Sequence, residues 1–539
     1  MMLMRNRLPL LLLTLVVSSL IASSQISSGN DSIYKLPYKN TYVKNVFVTD
    51  NVFRTMRPEI TRPRSFDEAR EILPLPHWEG HDVEIRMYWD AWKIAVNNIR
   101  QPDAGSGFVA TYIDTAYNGN LFMWDDCFIL MFARYGARFF PFQRTLDNFY
   151  AKQHPDGFIC REIKADGADC FERYDPTSTG PNLLPWCEMV YYHQYGDLGR
   201  LHRVFPVLCG YYDWLRLNRT WRNGTYWSSG WGTGMDNMPR VPEGYNPIYS
   251  HGHMIWLDTN LQQIMTAYQL LEMGFYIERW QEIEDYETEA LALKDYVNTQ
   301  LWDEKSGFLY DQYRDGTLCD AKGIGAFWAL MTDVLDRPRM DRLVAHLTEE
   351  CEFARPHPIP SLSADHPKYR PNGRYWQGGV WPGTNYMVIK GLSRQGYRDL
   401  AYKIAKRHYE SVLEVYRRTG TFYEYYAPEE IEPGFMARDH FVGWGGLAPI
   451  ALLIEYLIGI EADYPEETIT WDIRQLEAHG IDRYPFGPEG SIDLHCARRS
   501  TPGERPRVTV HSNVPFTLIL TYGEGKSETL HIQPDRSQP

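Results

Sequence analysis

The stretch Cys127-Phe128-Ile129-Leu130-Met131-Phe132-Ala133 offers water no charged or strongly polar side chain on any face. A helix with this sequence is expected to be buried on every side. The stretch Leu447-Ala448-Pro449-Ile450-Ala451-Leu452-Leu453-Ile454 has the same character. The segment 397–418 differs, because its apolar residues recur at helical spacing with Lys and Arg between them. The chain therefore predicts two kinds of helix, inner helices buried all round and outer helices with one apolar stripe.

Helices of these two kinds alternate along most of the chain. The twelve predicted segments are 85–101, 123–137, 143–153, 182–195, 198–218, 257–274, 277–301, 320–335, 338–350, 380–395, 397–418 and 442–458. Short links force neighbouring helices to pack antiparallel, and they alternate with long connectors that all emerge on one face. This pattern predicts a mainly α fold, an (α/α)6 barrel with the long loops at the N-terminal ends of the inner helices. The alternatives are an irregular helical domain or a solenoid, although no sequence repeat favours the latter.

The two ends of the chain have a different composition. Residues 1–24 carry Arg5 and Arg7, an apolar run and small residues, which predicts a secretory signal peptide. Residues 25–84 form an N-terminal extension, in which 42–53 is a possible strand region. The barrel is expected over 85–464. Residues 465–539 alternate polar and apolar side chains between Gly and Pro turns, so we expect a small β-rich module there.

Charge and cysteine content limit the partners of the protein. Without Arg5 and Arg7 the net charge of −14 becomes −16, which argues against nucleic acid or an anionic membrane surface as a partner. The apolar run is too short to favour a membrane anchor, so we expect an exported protein, periplasmic or secreted, without membrane insertion. Eight cysteines are too few for a disulfide framework, although Cys160 and Cys170 could pair.

Aromatic residues make up 14% of the chain and are concentrated in the long loops. Flat apolar faces with polar rims suit sugar rings. The alternative is that these aromatics pack the loops onto the helices. We expect both roles, with a carbohydrate as the substrate.

Two acidic residues stand out in these loops. Asp236 follows a Gly-rich stretch and has Trp and Met neighbours, so partial desolvation would keep its carboxyl protonated, as a general acid requires. Glu424 lies among aromatic residues, where its carboxylate could polarise a water. Opposed carboxylates of this kind cleave glycosidic bonds. Each has a structural alternative, since Asp236 could cap a turn and Glu424 could be a buried ion-pair partner.

Four segments resemble a known clan of enzymes. Phe122–Phe128, Ser229–Arg240, Trp376–Pro382 and Thr419–Tyr426 look like the inverting (α/α)6 glycosidases that include glycoside hydrolase family 63 and the trehalases. The resemblance spans about 85–460. It looks closest to the family 63 branch of processing α-glucosidases and mannosylglycerate-hydrolase-like enzymes. It implies an exo-acting, inverting hydrolase of a terminal α-linked glucosyl or mannosyl group.

The resemblance also implies roles for individual residues. Asp236 matches the general acid and Glu424 the general base. The implied substrate-binding residues are Trp124, Asp125, Arg161, Asn237, Arg240, Trp376, Gln377, Trp381, Tyr423 and Trp444. The chain departs from the family where Trp231-Gly232-Thr233-Gly234 is inserted before the acid, which affects the expected pocket shape. No segment matches the arginine run of trehalases, so trehalose is not the favoured substrate.

Two other functions fit parts of the pattern. A polysaccharide lyase on a helical toroid would need a Tyr or His base and a cationic cradle, whereas this chain concentrates carboxylates. A non-catalytic glycan-binding protein could dispense with Asp236 or Glu424, and both are present. The pair His251 and His253 has no partners at a metal-site spacing, so neither a catalytic metal nor another cofactor is predicted.

Overall fold

The computed structural model describes residues 44–115 and 118–535, and the predicted signal peptide lies outside them. Each of the twelve predicted helical segments overlaps a helix. Their bounds are α1 Asp82–Asn97, α2 Met123–Ala133, α3 Thr145–Ala151, α4 Leu184–Tyr195, α5 Leu198–Asn218, α6 Leu257–Tyr276, α7 Glu284–Tyr296, α8 Ile324–Met331, α9 Arg337–Ala345, α10 Pro382–Arg394, α11 Arg398–Thr419 and α12 Leu447–Ile458. Helix α8 is wound as a 3-10 helix and α12 as a π-helix.

The two predicted kinds of helix are confirmed. Every residue of α8 is buried, and in α2 only Asp125 is not fully buried. Helix α11 instead buries one stripe, which includes Ile404, Val412 and Val415, and exposes its Lys and Arg side chains. Helices such as α2 and α8 therefore gain stability from packing on all sides, and the charged face of α11 meets water.

Contacts between helices follow the same alternation. Helix α2 contacts α4, α4 contacts α6, α6 contacts α8, α8 contacts α10, α10 contacts α12, and α12 contacts α2. Among the odd-numbered helices, α5 and α7 pack against α6, and α11 packs against α10 and α12. The even-numbered helices are therefore neighbours of one another.

The strands are short except near the C-terminus. Their bounds are β1 Leu75–Trp78, β2 Ile99–Arg100, β3 Tyr112–Ile113, β4 Leu121–Phe122, β5 Glu162–Ile163, β6 Trp302–Asp303, β7 Phe308–Leu309, β8 Ile460–Asp463, β9 Thr468–Ile473, β10 His479–Phe486, β11 Gly490–Cys496, β12 Val508–Ser512, β13 Phe516–Tyr522 and β14 Lys526–Ile532. One sheet has the order β1-β10-β11-β12 and is antiparallel throughout. The other has the order β14-β13-β9-β8, in which β13 and β9 are parallel. The predicted C-terminal strands are confirmed.

The predicted strand region at 42–53 is wrong for its described part. Phe47–Asp50 and Val52–Thr55 are 3-10 turns, and Asn51 caps the second by accepting a hydrogen bond from the backbone N–H of Phe53. Phe47, Val48 and Phe53 are buried, so the apolar residues that suggested a strand anchor the turns instead. The extension contributes its strand later, as β1.

All eight cysteines lie within the described residues and are free, so the possible pair of Cys160 and Cys170 is not formed. The described residues from Asn45 onward pack as one unit, and the boundary between 464 and 465 stays a prediction. Within the described ranges, no helix combines the length and apolar character needed to cross a bilayer.

A buried ion network joins three consecutive helices. The Arg200 guanidinium of α5 donates to both carboxylate oxygens of Glu188 in α4, at 2.6 and 2.8 Å, and to Asp147 in α3 at 3.0 Å. All three side chains are almost fully shielded from solvent. Since charges removed from water are tolerated only when paired, this network fixes how α3, α4 and α5 pack.

We expect Arg200→Ala to destabilise the protein strongly, because it leaves the Glu188 carboxylate buried without a cation and leaves Asp147 with Arg144 as its remaining cation. Breaking such a pair costs about 3–5 kcal/mol. Arg337→Ala is the control, since its pair with Asp341 is exposed and should contribute at most about 1 kcal/mol. Urea unfolding followed by circular dichroism measures both, and equal losses would contradict the importance of the network.

Candidate active site

The segment that carries Asp236 is held against the start of α2. Ser229 caps the short helical turn Gly230–Thr233 by accepting a hydrogen bond from the N–H of Gly232, and Gly234 ends the turn with φ 71°. A Cβ at Gly234 would lie 3.1 Å from three atoms of the Trp124 indole. Only glycine combines this positive φ with so close an approach. The inserted residues thus form a turn that packs against Trp124.

The segment that carries Glu424 is fixed by its backbone. The Glu424 N–H donates to the carbonyl of Arg438 at 3.0 Å, and the Trp444 indole N–H donates to the Glu424 carbonyl at 2.7 Å. Val380 and Tyr426 exchange backbone hydrogen bonds, which joins this loop to the start of α10. Glu424 is therefore positioned by three segments that are distant in sequence.

Arg161 is placed by the small sheet of β4 and β5. Its carbonyl accepts from the N–H of Met123, and its guanidinium donates to the carbonyl of Thr177 at 2.7 Å. The guanidinium also lies 4.5 Å from the ring of Phe171 and 5.2 Å from that of Trp231. This arrangement holds a positive charge in one orientation between two aromatic rings.

These segments enclose a single cavity of about 250 Å³. Its lining contains eight of the predicted site residues, Trp124, Asp125, Arg161, Asp236, Trp376, Trp381, Glu424 and Trp444. Both predicted catalytic carboxyls therefore face the same space, although they are almost two hundred positions apart in the sequence.

One wall of the cavity is aromatic. The rings of Trp376 and Trp381 stack with centroids 4.1 Å apart and planes within 2° of parallel. Trp381 also stacks on Tyr425 at 4.5 Å and meets Trp444 edge-on at 5.6 Å. Such mutual packing leaves these large side chains little freedom, so the wall is rigid before a ligand binds.

Four predicted substrate-binding residues lie outside this lining. The side-chain oxygen of Asn237 accepts a hydrogen bond from the backbone N–H of Trp376 at 2.8 Å. The side-chain amide of Gln377 donates to the backbone carbonyl of Asn237 at 3.4 Å. These two residues join the acid loop, which is the segment 229–240 that carries Asp236, to the aromatic wall. The ring of Tyr423 packs edge-on against Tyr426, with centroids 6.3 Å apart.

Arg240 requires a correction, because the structure gives it no contact with the cavity. Its buried guanidinium donates to Asp258 at 2.6 and 2.9 Å, lies 3.1 Å from Asp311 and stacks 4.2 Å from the ring of Trp256. The carboxylates of Asp258 and Asp311 neutralise the guanidinium charge. The Arg240 side chain therefore anchors the end of the acid loop, and its position outside the lining does not support the predicted substrate contact.

Asp236 has the electrostatics of a proton donor. Desolvation raises the pKa of its carboxyl to about 6, while the Arg161 charge and hydrogen bonds from Tyr375 and Trp231 oppose the rise. The Tyr375 hydroxyl donates to the carboxyl at 3.2 Å. A carboxyl with this pKa is partly protonated near neutral pH, as general acid catalysis requires.

The two other cavity carboxyls are also perturbed. Desolvation raises the pKa of Glu424, the nearby Arg438 charge lowers it, and the Asp236 charge raises it further. Desolvation and the Glu424 charge raise the pKa of Asp125 to about 8. Asp236 and Glu424 thus interact through space, and at neutral pH a protonated Asp125 can both donate to and accept from a hydroxyl group.

Seven polar or aromatic residues of the lining were not predicted as site residues, namely Asn118, Phe122, Glu162, Trp231, Tyr375, Arg438 and Phe441. Trp231 belongs to the insertion that departs from the family pattern. Tyr375 directly precedes the predicted Trp376, which was its one available signal. Arg438 lies in a stretch with no motif, and it reaches the cavity because the loop folds back on Glu424. Among the described residues, the one group of three converging His, Cys, Asp or Glu ligands lies away from this cavity.

Comparison with known proteins finds glycoside hydrolases among the relatives of this chain. A probable mannosyl-oligosaccharide glucosidase from Schizosaccharomyces pombe is 26% identical over 46% of this chain, and a mannosylglycerate hydrolase from Thermus thermophilus is 25% identical over 42%. These alignments cover 34% and 65% of the two relatives. The crystal structure of a GH63 mannosylglycerate hydrolase from Thermus thermophilus in complex with glucose superposes with a TM-score of 0.54. That alignment covers 67% of this chain and 99% of the other at 21% identity, and so supports the fold alone.

A family-level match covers the cavity itself. The profile of the mannosylglycerate hydrolase MGH1-like glycoside hydrolase domain matches residues 118–440, which is more than half of the chain. The match includes both predicted catalytic carboxyls. The chain therefore belongs to the MGH1-like glycoside hydrolase family.

Proposed function

We propose that this glycosidase is exo-acting and hydrolyses a terminal α-linked glucosyl or mannosyl group with inversion at the anomeric carbon. The observation that carries the proposal is that Asp236 and Glu424 line one small cavity, close enough for the Asp236 charge to raise the pKa of Glu424. Family membership identifies a hydrolase and not a lyase. The presence of both carboxyls argues against a scaffold that only binds glycans.

In this mechanism Asp236 protonates the leaving oxygen. Glu424 removes a proton from the water that attacks the anomeric carbon on the opposite face of the sugar. Burial suits the first role, because it keeps the Asp236 carboxyl partly protonated. The Arg438 charge suits the second, because it favours the ionised form of Glu424.

The cavity size supports exo action on one terminal residue. A volume of about 250 Å³ is at the small end for ligand sites and suits a single sugar ring. We assign the ring face to the Trp376–Trp381 wall, and the hydroxyls to Asp125 and Arg161. The choice of glucosyl or mannosyl follows from the names of the two relatives, one a glucosidase and one a mannosylglycerate hydrolase.

We also propose that the twelve helices close into an (α/α)6 barrel. The contacts that run from α2 through the even-numbered helices and back to α2 support this arrangement. So does the position of Trp124 and Asp125 at the start of α2 and of Trp381 just before α10. The N-terminal ends of inner helices would then form the cavity rim.

Export is a further part of the proposal. It rests on Arg5, Arg7 and the apolar run Leu8–Val17, followed by small residues. An exported glycosidase would act on a carbohydrate outside the cytoplasm, with neither nucleic acid nor an inserted membrane segment as partner.

Removing either carboxyl should abolish most of the activity. We expect Asp236→Asn and Glu424→Gln each to lower kcat/KM by about 10²–10⁴, since each loses one proton transfer. The enzyme is first screened on α-mannosyl and α-glucosyl substrates with sugar release measured. An aryl glycoside whose leaving group needs no protonation should restore turnover in Asp236→Asn but not in Glu424→Gln.

The matched control is Asp439→Asn, which changes an exposed carboxylate on the same loop as Glu424. It should keep turnover close to that of the native enzyme. Near-native turnover of either catalytic variant would overturn the role assigned to that residue.

The pKa of Asp236, about 6, should set the basic limb of the pH profile. Activity needs the protonated carboxyl, so kcat/KM should fall about tenfold per pH unit above this value. The hydrogen bond from Tyr375 lowers the pKa of Asp236, so Tyr375→Phe should move the limb to higher pH. Tyr425→Phe is the control, because that hydroxyl donates to the Phe435 carbonyl at 2.6 Å. A basic limb that stays in place in Tyr375→Phe would contradict the assignment.

The stereochemistry of the first product tests the single-displacement mechanism. Proton NMR during hydrolysis of an α-glycoside should show the β-anomer of the free sugar before mutarotation. Initial release of the α-anomer would exclude a direct attack by water activated by Glu424.

A further inference from the structure

Three side chains converge on the surface of the first β sheet, away from the active site. The Nε2 atom of His77, in β1, lies 2.7 Å from Oδ2 of Asp482, in β10. The Nε2 atom of His495, in β11, lies 2.7 Å from Oδ1 of the same carboxylate. The three ligand atoms are all within 4.8 Å of one another, and over residues 44–115 and 118–535 no other His, Cys, Asp or Glu side chains form such a group of three.

The strand register creates this convergence. His77 and His495 are both paired with Gly480, which stands between them on β10. Because Gly480 has no side chain, the two imidazoles approach to 5.3 Å between centroids. A Cβ at Gly480 would also lie 2.0 Å from the Leu494 carbonyl, so the close approach of β11 requires glycine here.

A β-bulge supplies the third ligand. The pairing of β10 with β11 shifts between Ile481 and Tyr484, and Arg483 within this break has φ 56°. Asp482 remains paired with Leu75 of β1. Bulges re-aim side chains at functional sites. This one leaves the Asp482 carboxylate between two imidazoles with one oxygen directed at each.

The charge partners of Asp482 are the two imidazoles. In the described part of the chain, Asp482 makes ion pairs with the two histidines and with no Lys or Arg. The side chains of His77, Asp482 and His495 are 41%, 26% and 42% exposed, so the site is open to solvent. His77 and His495 also border a surface cleft of about 810 Å³. A cation could therefore reach the ligand atoms directly and keep water in its remaining positions.

We propose that His77, Asp482 and His495 bind a divalent transition-metal cation, with Zn²⁺ as the best fit. Two imidazole nitrogens and one carboxylate oxygen are ligands that Zn²⁺ accepts, at about 2.0–2.2 Å each. Tetrahedral ligands at that distance lie about 3.3 Å apart. The observed separations lie on either side of this value, since each imidazole nitrogen is 2.7 Å from the carboxylate and all three ligand atoms are within 4.8 Å of one another. The remaining position is taken by water.

This site has a structural consequence. Strand β1 precedes all twelve helices, and His77 and Asp482 are separated by 405 residues in the sequence. A cation held by β1, β10 and β11 joins the N-terminal extension to the C-terminal strands. Because the unfolded chain does not bring these ligands together, Zn²⁺ should bind the native state preferentially and raise its melting temperature.

The test uses the full mature protein without a histidine tag, after treatment with a chelator. Titration with ZnCl₂ in a calorimeter should give one site per chain, and Zn²⁺ should raise the Tm. His77→Ala and His495→Ala should each weaken Zn²⁺ binding at least about tenfold and remove the rise in Tm. Asp482→Asn should do the same with the strand pairing intact.

Two controls match these variants. His511→Ala removes a histidine of the same sheet, which pairs with the single carboxylate of Asp535. His251→Ala removes one of two neighbouring loop histidines. Both proteins should keep the affinity and the Tm rise. Unchanged Zn²⁺ binding in His77→Ala and His495→Ala, or no binding by the native protein, would overturn the proposal.

A measurement on the native protein is independent of how the variants fold. X-ray absorption at the zinc edge should show only nitrogen and oxygen ligands, with the outer-shell scattering of two imidazoles. Cys496 follows His495 and borders the same cleft. A sulfur ligand in the spectrum would therefore reject the assigned set.

Discussion

The contact between Gly234 and the Trp124 indole is the constraint on which the active site depends. It fixes the acid loop against the start of α2, where a side chain on residue 234 would be strained by the positive φ and crowded by the indole. Asp236 follows two residues later and cannot shift without breaking this packing. On its other side the Tyr375 hydroxyl holds the carboxyl. The orientation of Asp236, the proposed general acid, is therefore set by steric contact from one direction and by a hydrogen bond from the other.

The charges around the cavity carboxyls differ from one carboxyl to the next. Asp125, Asp236 and Glu424 share a small volume; burial raises the pKa of all three, and neighbouring carboxylates raise the pKa of Asp125 and Glu424 further. Arg161 and Arg438 oppose the rise at different carboxyls, Arg161 at Asp125 and Asp236 and Arg438 at Glu424. Asp236 and Glu424 thus have different charged neighbours, and such asymmetric surroundings are what opposite roles in one reaction require.

The sequence predicted the helices well because the signal was local. A helix such as α2, which is apolar on all faces, can only be an inner helix, and the stripe of α11 identifies an outer one. Residues 42–53 failed because a few buried apolar residues fit a strand and a 3-10 turn equally well. The winding of α8 as a 3-10 helix was also beyond reach, since periodicity does not separate 3-10 from α over eight residues.

Site residues divide along the same line between local and non-local information. Asp236 and Glu424 were recognisable from short motifs, whereas Arg438 reaches the cavity only through the return of its loop. Arg240 is the opposite case. It belongs to the acid motif, but its guanidinium pairs with Asp258 and Asp311 and lies outside the cavity lining. A motif shows which residues occur together in the sequence. In this loop the motif includes both Asp236, which lines the cavity, and Arg240, which holds the loop in place. The anchor is still needed, because an acid loop held at Gly234 alone could pivot about that contact, and the Arg240 ion pairs hold its far end.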